Sequence, residues 1–240
     1  MNAQSLKTVI LILLPFLIST SVFAATPSKE PAVQYNCVEV SAENGNINWV
    51  SVAKDPQIEF VYIRATNGKE ADPMYKKNLQ KIQKTGLKKS FVLHMNTNSS
   101  VMSQFEFFCA TVKPYDCDVY PAVFVDENKN WGKKFADNLS WMISYLTDRY
   151  GGAIIYSTEA FYNKYCNTEL NNSLPIMFFK PGKKEPVIKN APTGTGYLIW
   201  MFDKKGEIKG VQTPVSLGRF HPDKNIGWIT PEVKAETTEE

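Results

Sequence analysis

The sequence predicts an α/β protein built on a largely parallel sheet, and three observations carry that prediction. Short apolar runs alternate along the chain with longer amphipathic stretches. Gly86 and Gly151 stand where two of those stretches would end as helices. A composition of 43% hydrophobic residues, with 5 Trp, 11 Tyr and 14 Phe, needs a buried core and excludes a disordered chain. Strands separated by helices pair in parallel, which leaves a closed barrel and an open doubly wound sheet as alternatives. At 240 residues, one small barrel fits as well as two smaller units.

The first element is an export signal rather than part of the fold. Lys7 gives a positive start, Val9 to Ile18 is apolar apart from Pro15, and Val22-Phe23-Ala24 offers the small-residue cleavage pattern. Residues 1–24 therefore read as a signal peptide cut after Ala24, with the mature protein periplasmic or secreted. The apolar run falls short of the roughly 20 residues a span requires, so no stable membrane anchor is expected. Residues 25–35 are polar and proline-bearing, a leader, and the folded domain spans 36–228.

Within the domain the strand candidates are Cys37–Val40, Ile58–Ile63, Phe91–His94, Val119–Val125, Ala153–Tyr156, Ile176–Phe179 and Tyr197–Phe202. The clearest helices are Met74–Gln83, Val101–Val112 and Trp131–Tyr150, with a shorter one over Thr158–Tyr165. After Trp228 the apolar content falls and glutamates accumulate, so 229–240 reads as a disordered tail.

Export changes the meaning of the four cysteines. Cys37, Cys109, Cys117 and Cys166 form no CxxC pair and have only two histidines for company, which is poor support for zinc; no metal is expected. Disulfides are the better reading. Cys109 and Cys117 flank Pro114 and close most easily, leaving Cys37 with Cys166, and helices returning the chain to the start of each next strand would put both pairs on one face.

A net charge of +3 gives no reason to expect nucleic acid. The chain has no GxSxG elbow, phosphate-cradling glycine loop, HExxH or dinucleotide fingerprint, so no cofactor is expected. What stands out is Pro121-Ala122-Val123-Phe124-Val125-Asp126-Glu127, which puts acids at the C-terminal end of a strand. Sites of parallel α/β folds are built at that edge, although such acids can also simply open a loop.

The first strand continues as Val38-Glu39-Val40-Ser41, running on to Gly45-Asn46-Ile47-Asn48-Trp49, and the second reads Phe60-Val61-Tyr62-Ile63-Arg64-Ala65-Thr66-Asn67-Gly68, then Asp72-Pro73 and Asn78. This resembles glycoside hydrolase family 25, the Chalaropsis-type lysozymes, whose stretches run G-[IVF]-D-V-S-x-x-Q-G-x-I-D-W and F-V-[YI]-I-[KR]-A-T-E-G. His94 fits the family's Y-H-F strand, Gln104 and Phe108 its Q-A-x-x-F helix, and Pro121 to Asp126 its P-A-L-D-V-E strand. Tyr156-Ser157, Phe161-Tyr162, Ile199 to Phe202 and Gly210 to Phe220 fit later blocks, so the resemblance covers nearly all of residues 37–220.

The resemblance implies an irregular, TIM-like (β/α) barrel in a single domain, and an ancestral activity: hydrolysis of the β-1,4 bond between N-acetylmuramic acid and N-acetylglucosamine in peptidoglycan. The family's inward-pointing acids fall on Glu39, Phe124, Asp126 and Ser216 of this sequence. Two carboxylates are lost and the remaining two have exchanged lengths, which leaves Asp126 and Glu39 as the candidate catalytic residues. Moving a carboxyl by one methylene, on the order of 1.3 Å, is enough to cost about a hundredfold in rate. Glu127 would replace the missing full-length acid only if a bulge shifted the strand by one residue.

Tyr62, His94, Tyr156 and Trp200 lie on expected strands where flat rings could line a sugar-binding cleft. Met201 for the family's Gln and Asn67 for its Glu make that cleft less polar. Three readings of function follow: a muramidase with rearranged acids, a pseudo-muramidase that binds peptidoglycan or a protein partner without cleaving it, and a glycan hydrolase of altered specificity. The first of these is weakened by the lost acids, which act as a unit.

Overall fold

The computed structural model describes residues 33–125, 133–166, 174–189 and 196–232. Residues 34–240 cluster as one compact unit, apart from residues 1–33. Residues 1–32, which take in the expected signal peptide and most of the expected leader, lie outside the described residues.

In chain order the elements are β1 (Cys37–Val40), α1 (Trp49–Val52), β2 (Phe60–Asn67), β3 (Glu70–Ala71), α2 (Tyr75–Ile82), β4 (Lys88–His94), α3 (Val101–Thr111), β5 (Ala122–Val125), α4 (Lys133–Tyr150), β6 (Ile154–Ser157), α5 (Glu159–Phe161), β7 (Ile176–Phe179), β8 (Ile199–Gly206) and β9 (Val215–Phe220). Short 3-10 turns cover Ala42–Asn44, Pro114–Asp116 and Ile226–Ile229, and a π turn, Tyr162–Cys166, continues α5. Hydroxyl caps start two of the helices: Ser100 accepts from Ser103 N–H before α3, and Thr158 from Phe161 N–H before α5. Gly86 and Gly151 adopt φ of 73° and 78°, the left-handed conformation that ends helices where the sequence placed them.

The strand order β1-β9-β8-β7-β6-β5-β4-β2, completed by the β1–β2 pairing, closes an eight-stranded barrel, with β3 as a short hairpin on β2. The pairs from β1–β2 and β2–β4 through β7–β8 are parallel, whereas β9 runs antiparallel to both β8 and β1. The closed barrel, not the open sheet, is thus the architecture. β9 is a strand that periodicity does not reveal, because Ser216, Gly218 and Arg219 interrupt its apolar pattern.

Alternation along each strand divides the buried side chains into two sets. Cys37, Phe60, Tyr62, Val92, Ala122, Ile154, Tyr156, Met177, Ile199 and Met201 fill the barrel interior. Val38, Val61, Ile63, Leu93, Val123, Ile155, Phe178, Trp200 and Leu217 pack outward beneath the helices. Ile229 is fully buried with the interior set, and its carbonyl accepts from Tyr120 N–H at 2.7 Å. Packing therefore includes Ile229, next to Trp228; residues 233–240 lie outside the described residues.

All four cysteines are free thiols, which corrects the expected disulfides. Cys37 points into the barrel, 3.9 Å from Met201 Sδ, while Cys166 belongs to the outer set, so the sheet itself separates them. Cys109 is engaged with the Tyr150 hydroxyl, and Cys117 Sγ donates to Lys113 O at 3.8 Å. No helix among the described residues is long and apolar enough to cross a membrane.

Two measurements check these packing statements. A Cβ on Gly218 would stand 2.3 Å from Met201 Sδ and 2.8 Å from Cys37 Sγ, so Gly218→Val is expected to destabilise the fold by roughly 1–3 kcal/mol. An unchanged urea midpoint would contradict interior packing at that point. Burial pushes the Cys117 and Cys166 thiols up to about 12, leaving little thiolate at pH 8. Thiol titration without reductant is expected to be slow on native protein and to count four thiols in urea, whereas a count of two or none would restore the disulfide reading.

Candidate active site

Inward-facing residues at the C-terminal ends of the strands form the floor of a cleft of about 400 Å³, lined among others by Glu39, Asn44, Arg64, His94, Lys204 and Ser216. Strand pairing brings them together. Glu39 stands opposite Ser216 of β9 and Tyr62 of β2, and on the other side of the barrel His94, Phe124 and Tyr156 occupy one register row.

Glu39 is the hub of this floor. Its Oε1 lies 3.0 Å from His94 Nε2, and its Oε2 accepts from the Tyr156 hydroxyl at 2.8 Å. The contact is an N–H···O hydrogen bond in the tautomer that carries its proton on Nε2, a hydrogen position assigned from the network rather than observed. Burial, the Glu39 charge and the Glu39 hydrogen bond together push the Tyr156 phenol far above its usual range, so Tyr156 stays protonated and remains a donor. The Glu39 side chain retains 11% exposure and has two protein donors on its two oxygens.

Phe124 fills the space between those donors. Its ring centroid lies 4.7 Å from that of His94, 4.7 Å from that of Tyr156 and 6.4 Å from that of Phe179. An apolar ring thus stands where the family resemblance implies an aspartate. Phe179 also lines a second, larger depression of about 900 Å³ over the ends of β6 and β7, with Glu159, Asn163, Lys164 and Lys180 among its walls. Lys180 is ion-paired with Glu159 there.

The other wall is held by Asp72. Its buried carboxylate accepts from Ala42 N–H at 3.0 Å, Arg64 Nε at 2.9 Å and Met74 N–H at 2.9 Å. This ties the loop after β1 to the start of α2 and holds Arg64, which also reaches Glu43 at 3.3 Å. Alternation from Tyr62 places Arg64 inward, and that signal was available in the sequence, as was the parity of Phe179 with Met177.

Of the residues singled out from sequence, Glu39, His94 and Tyr156 come together. Tyr62 is fully buried below them, its hydroxyl donating to Tyr120 O at 2.9 Å, so it supports the floor without lining the cleft. Trp200 faces the outer layer, 1% exposed, with Nε1–H donating to Lys180 O and Arg219 stacked on its ring; it is not a cleft residue. Alternation explains this, because Met201 faces inward and its neighbours must face out. Asp126 and Glu127 lie outside the described residues. Among the described residues no group of three potential ligands could hold a metal ion.

Comparison with known proteins supports the reading from residues. Residues 38–211 match the sequence profile described as Glycosyl hydrolases family 25. A family 25 glycosyl hydrolase from Bacillus anthracis has a similar structure, with a TM-score of 0.67, 22% identity, and coverage of 78% of this chain and 89% of that one. A bacterial lysozyme from Streptomyces coelicolor gives a TM-score of 0.67 at 18% identity, covering 80% of this chain and 94% of that one. A muramidase from Trichobolus zukalii gives 0.62 at 18% identity, with 80% and 96% covered. A comparison with curated proteins finds no match.

The two donors on Glu39 predict a stability cost when either is removed. Tyr156→Phe keeps the ring and deletes the hydroxyl bonded to a charged acceptor, which is expected to cost about 1.5–3 kcal/mol in urea denaturation at pH 7. A midpoint equal to that of the unmodified protein would mean that solvent replaces the phenol at no cost.

Proposed function

The chain belongs to glycosyl hydrolase family 25, and from that premise we propose that it is an exported, lysozyme-like protein that holds peptidoglycan strands in the cleft above Glu39 while cleaving them weakly or not at all. The observation that carries this reading is the Phe124 ring lodged between His94 and Tyr156.

Hydrolysis of a glycosidic bond needs a proton donor at the leaving oxygen and a second negative or nucleophilic group for the oxocarbenium-like transition state. At the floor of this cleft Phe124 supplies neither, and Ser216 is a neutral hydroxyl. Glu39 is available as a charge, but both of its oxygens already accept hydrogen bonds from the protein. Groups that act as a unit lose most of their effect when any member is lost, so the deficit is not divided among the survivors. Binding has different requirements. The cleft walls carry a guanidinium at Arg64, an imidazole at His94, an ammonium at Lys204 and hydroxyls at Thr213 and Ser216, beside the apolar faces of Pro214 and Val215, a mix of hydrogen-bonding groups and apolar surface of the kind sugars need. Residues 1–24, read as a signal peptide, would bring the protein to the cell wall.

The test is digestion of purified peptidoglycan with mature protein, followed by mass analysis of released fragments and a pelleting assay with insoluble wall. The expected outcome is pelleting with the wall, and release at least about a hundredfold slower than with an active family 25 muramidase. Glu39→Gln is expected to weaken pelleting. The triple replacement Phe124→Asp, Asp126→Glu and Ser216→Asp, which restores the family's acids at three positions, is expected to raise release. Ordinary release of fragments with reducing-end N-acetylmuramic acid, abolished by Asp126→Asn, would overturn the reading and establish a rearranged acid pair.

A further inference from the structure

The net charge of +3 conceals a strong asymmetry. Between Asp72 and Glu106 the sequence contains no Asp or Glu but carries Lys76, Lys77, Lys81, Lys84, Lys88 and Lys89, so the rest of the chain is net negative. Lys89 is buried and paired with Asp118 at 2.8 Å. The other five are exposed, and none of them forms an ion pair among the described residues. A second acid that reaches this segment besides Asp118, Asp116, is itself buried and accepts from Gln83.

These lysines are ordered by the helix. Lys77, Lys81 and Lys84 follow one another at spacings of four and three residues, which places them on one face of α2. The backbone stays helical through Gln83, and Lys84 N–H still bonds to Lys81 O at 3.3 Å, so the last of the three continues the row. At 1.5 Å per residue the row is about 10 Å long. Beside it runs a groove of about 450 Å³ between α1 and α2, whose walls include Ile47, Trp49 and Val50 as well as Lys81 and Lys84.

A solvated surface normally mixes its signs, because like charges at helical spacing repel by a few tenths of a kcal/mol per pair. A row of lysines next to a groove, with Lys77 donating to Asn46 and with no carboxylate partner for any of the three among the described residues, is the complement of a linear polyanion. We propose that this flank of the barrel binds a phosphodiester polymer, a chain with a phosphate at each repeat and no bases, so that the protein engages an anionic polymer independently of its cleft. Nucleic acid fits less well, since Trp49 in the groove is only 3% exposed and offers no ring face for base stacking. A bilayer fits less well too, because Val50 is the one exposed large apolar side chain among the groove's walls.

The probe is soluble inorganic polyphosphate titrated into the mature protein at several salt concentrations. Binding is expected to weaken with salt, and Lys77→Glu/Lys81→Glu/Lys84→Glu is expected to reduce affinity at least tenfold and flatten the log–log salt slope by about 2. The control is Lys183→Glu/Lys184→Glu/Lys209→Glu, an exposed set with the same change in net charge, which is expected to leave affinity within about twofold. Equal losses in both variants would reduce the effect to net charge and overturn the proposal. So would absence of polyphosphate binding at low salt, or binding confined to phosphatidylglycerol vesicles or to single-stranded DNA. Because all six substituted positions lie outside the cleft above Glu39, wall digestion and pelleting report on that cleft separately.

Discussion

Closure of the sheet through the β1–β2 pair is the constraint on which everything else in this protein rests. With no free edge in the ring, each strand must send alternate side chains into an interior of fixed width and the others beneath the helices. Parity therefore decides function as well as packing. Glu39, His94, Phe124 and Tyr156 meet because they are inward positions at the same end of their strands, while Trp200 and Phe202 face outward on either side of Met201. The same rule separates Cys37 from Cys166, one inside and one outside the sheet.

The site shows what happens when a charged cluster is relaxed without disturbing its frame. Several carboxylates converging on one cleft repel one another, and burying each without a partner is costly. Here the floor holds Glu39 with two hydrogen-bonding partners, and a ring at Phe124 adds two close aromatic contacts, each worth about 0.5–1.5 kcal/mol. The change removes repulsion and adds cohesion at the place where a hydrolase accepts the opposite. Function-bearing acids are commonly held at a cost in stability, so a ring in place of an acid favours cohesion of the floor over charge at the site.

The fold was legible because its strands are short, apolar and separated by helices with recognisable ends; seven of the eight barrel strands and the helices α2, α3 and α4 follow from periodicity and from Gly86 and Gly151. β9 was not, since a strand that crosses the barrel next to Cys37 and Met201 needs Gly218 for space and exposes Arg219 at the outer face, and both break the apolar alternation. The family acids were legible from motif position, which located Glu39 and Phe124, but their partners were not. That His94 and Tyr156 would both bind Glu39 depends on register across the barrel, and register between strands distant in sequence is set by closure rather than by any local pattern. The disulfide expectation failed for a related reason: topology placed the cysteines at one end of the sheet, but side-chain direction, not height, determines whether two sulfurs meet.

The cleft and the α2 flank are governed by different interactions. In the cleft, side chains are fixed by one another, so a single substitution such as Phe124 for an acid alters the hydrogen bonding, desolvation and charge of every neighbour. On the α2 flank the lysines are exposed and coupled to one another only by weak repulsion of a few tenths of a kcal/mol per pair, so a substitution there perturbs its neighbours far less. On the proposed reading, an anionic polymer would meet this protein through long-range attraction at the flank and short-range fit at the cleft. Salt screens the first over roughly 10 Å and leaves the second nearly untouched, so ionic strength separates the two contributions within one molecule.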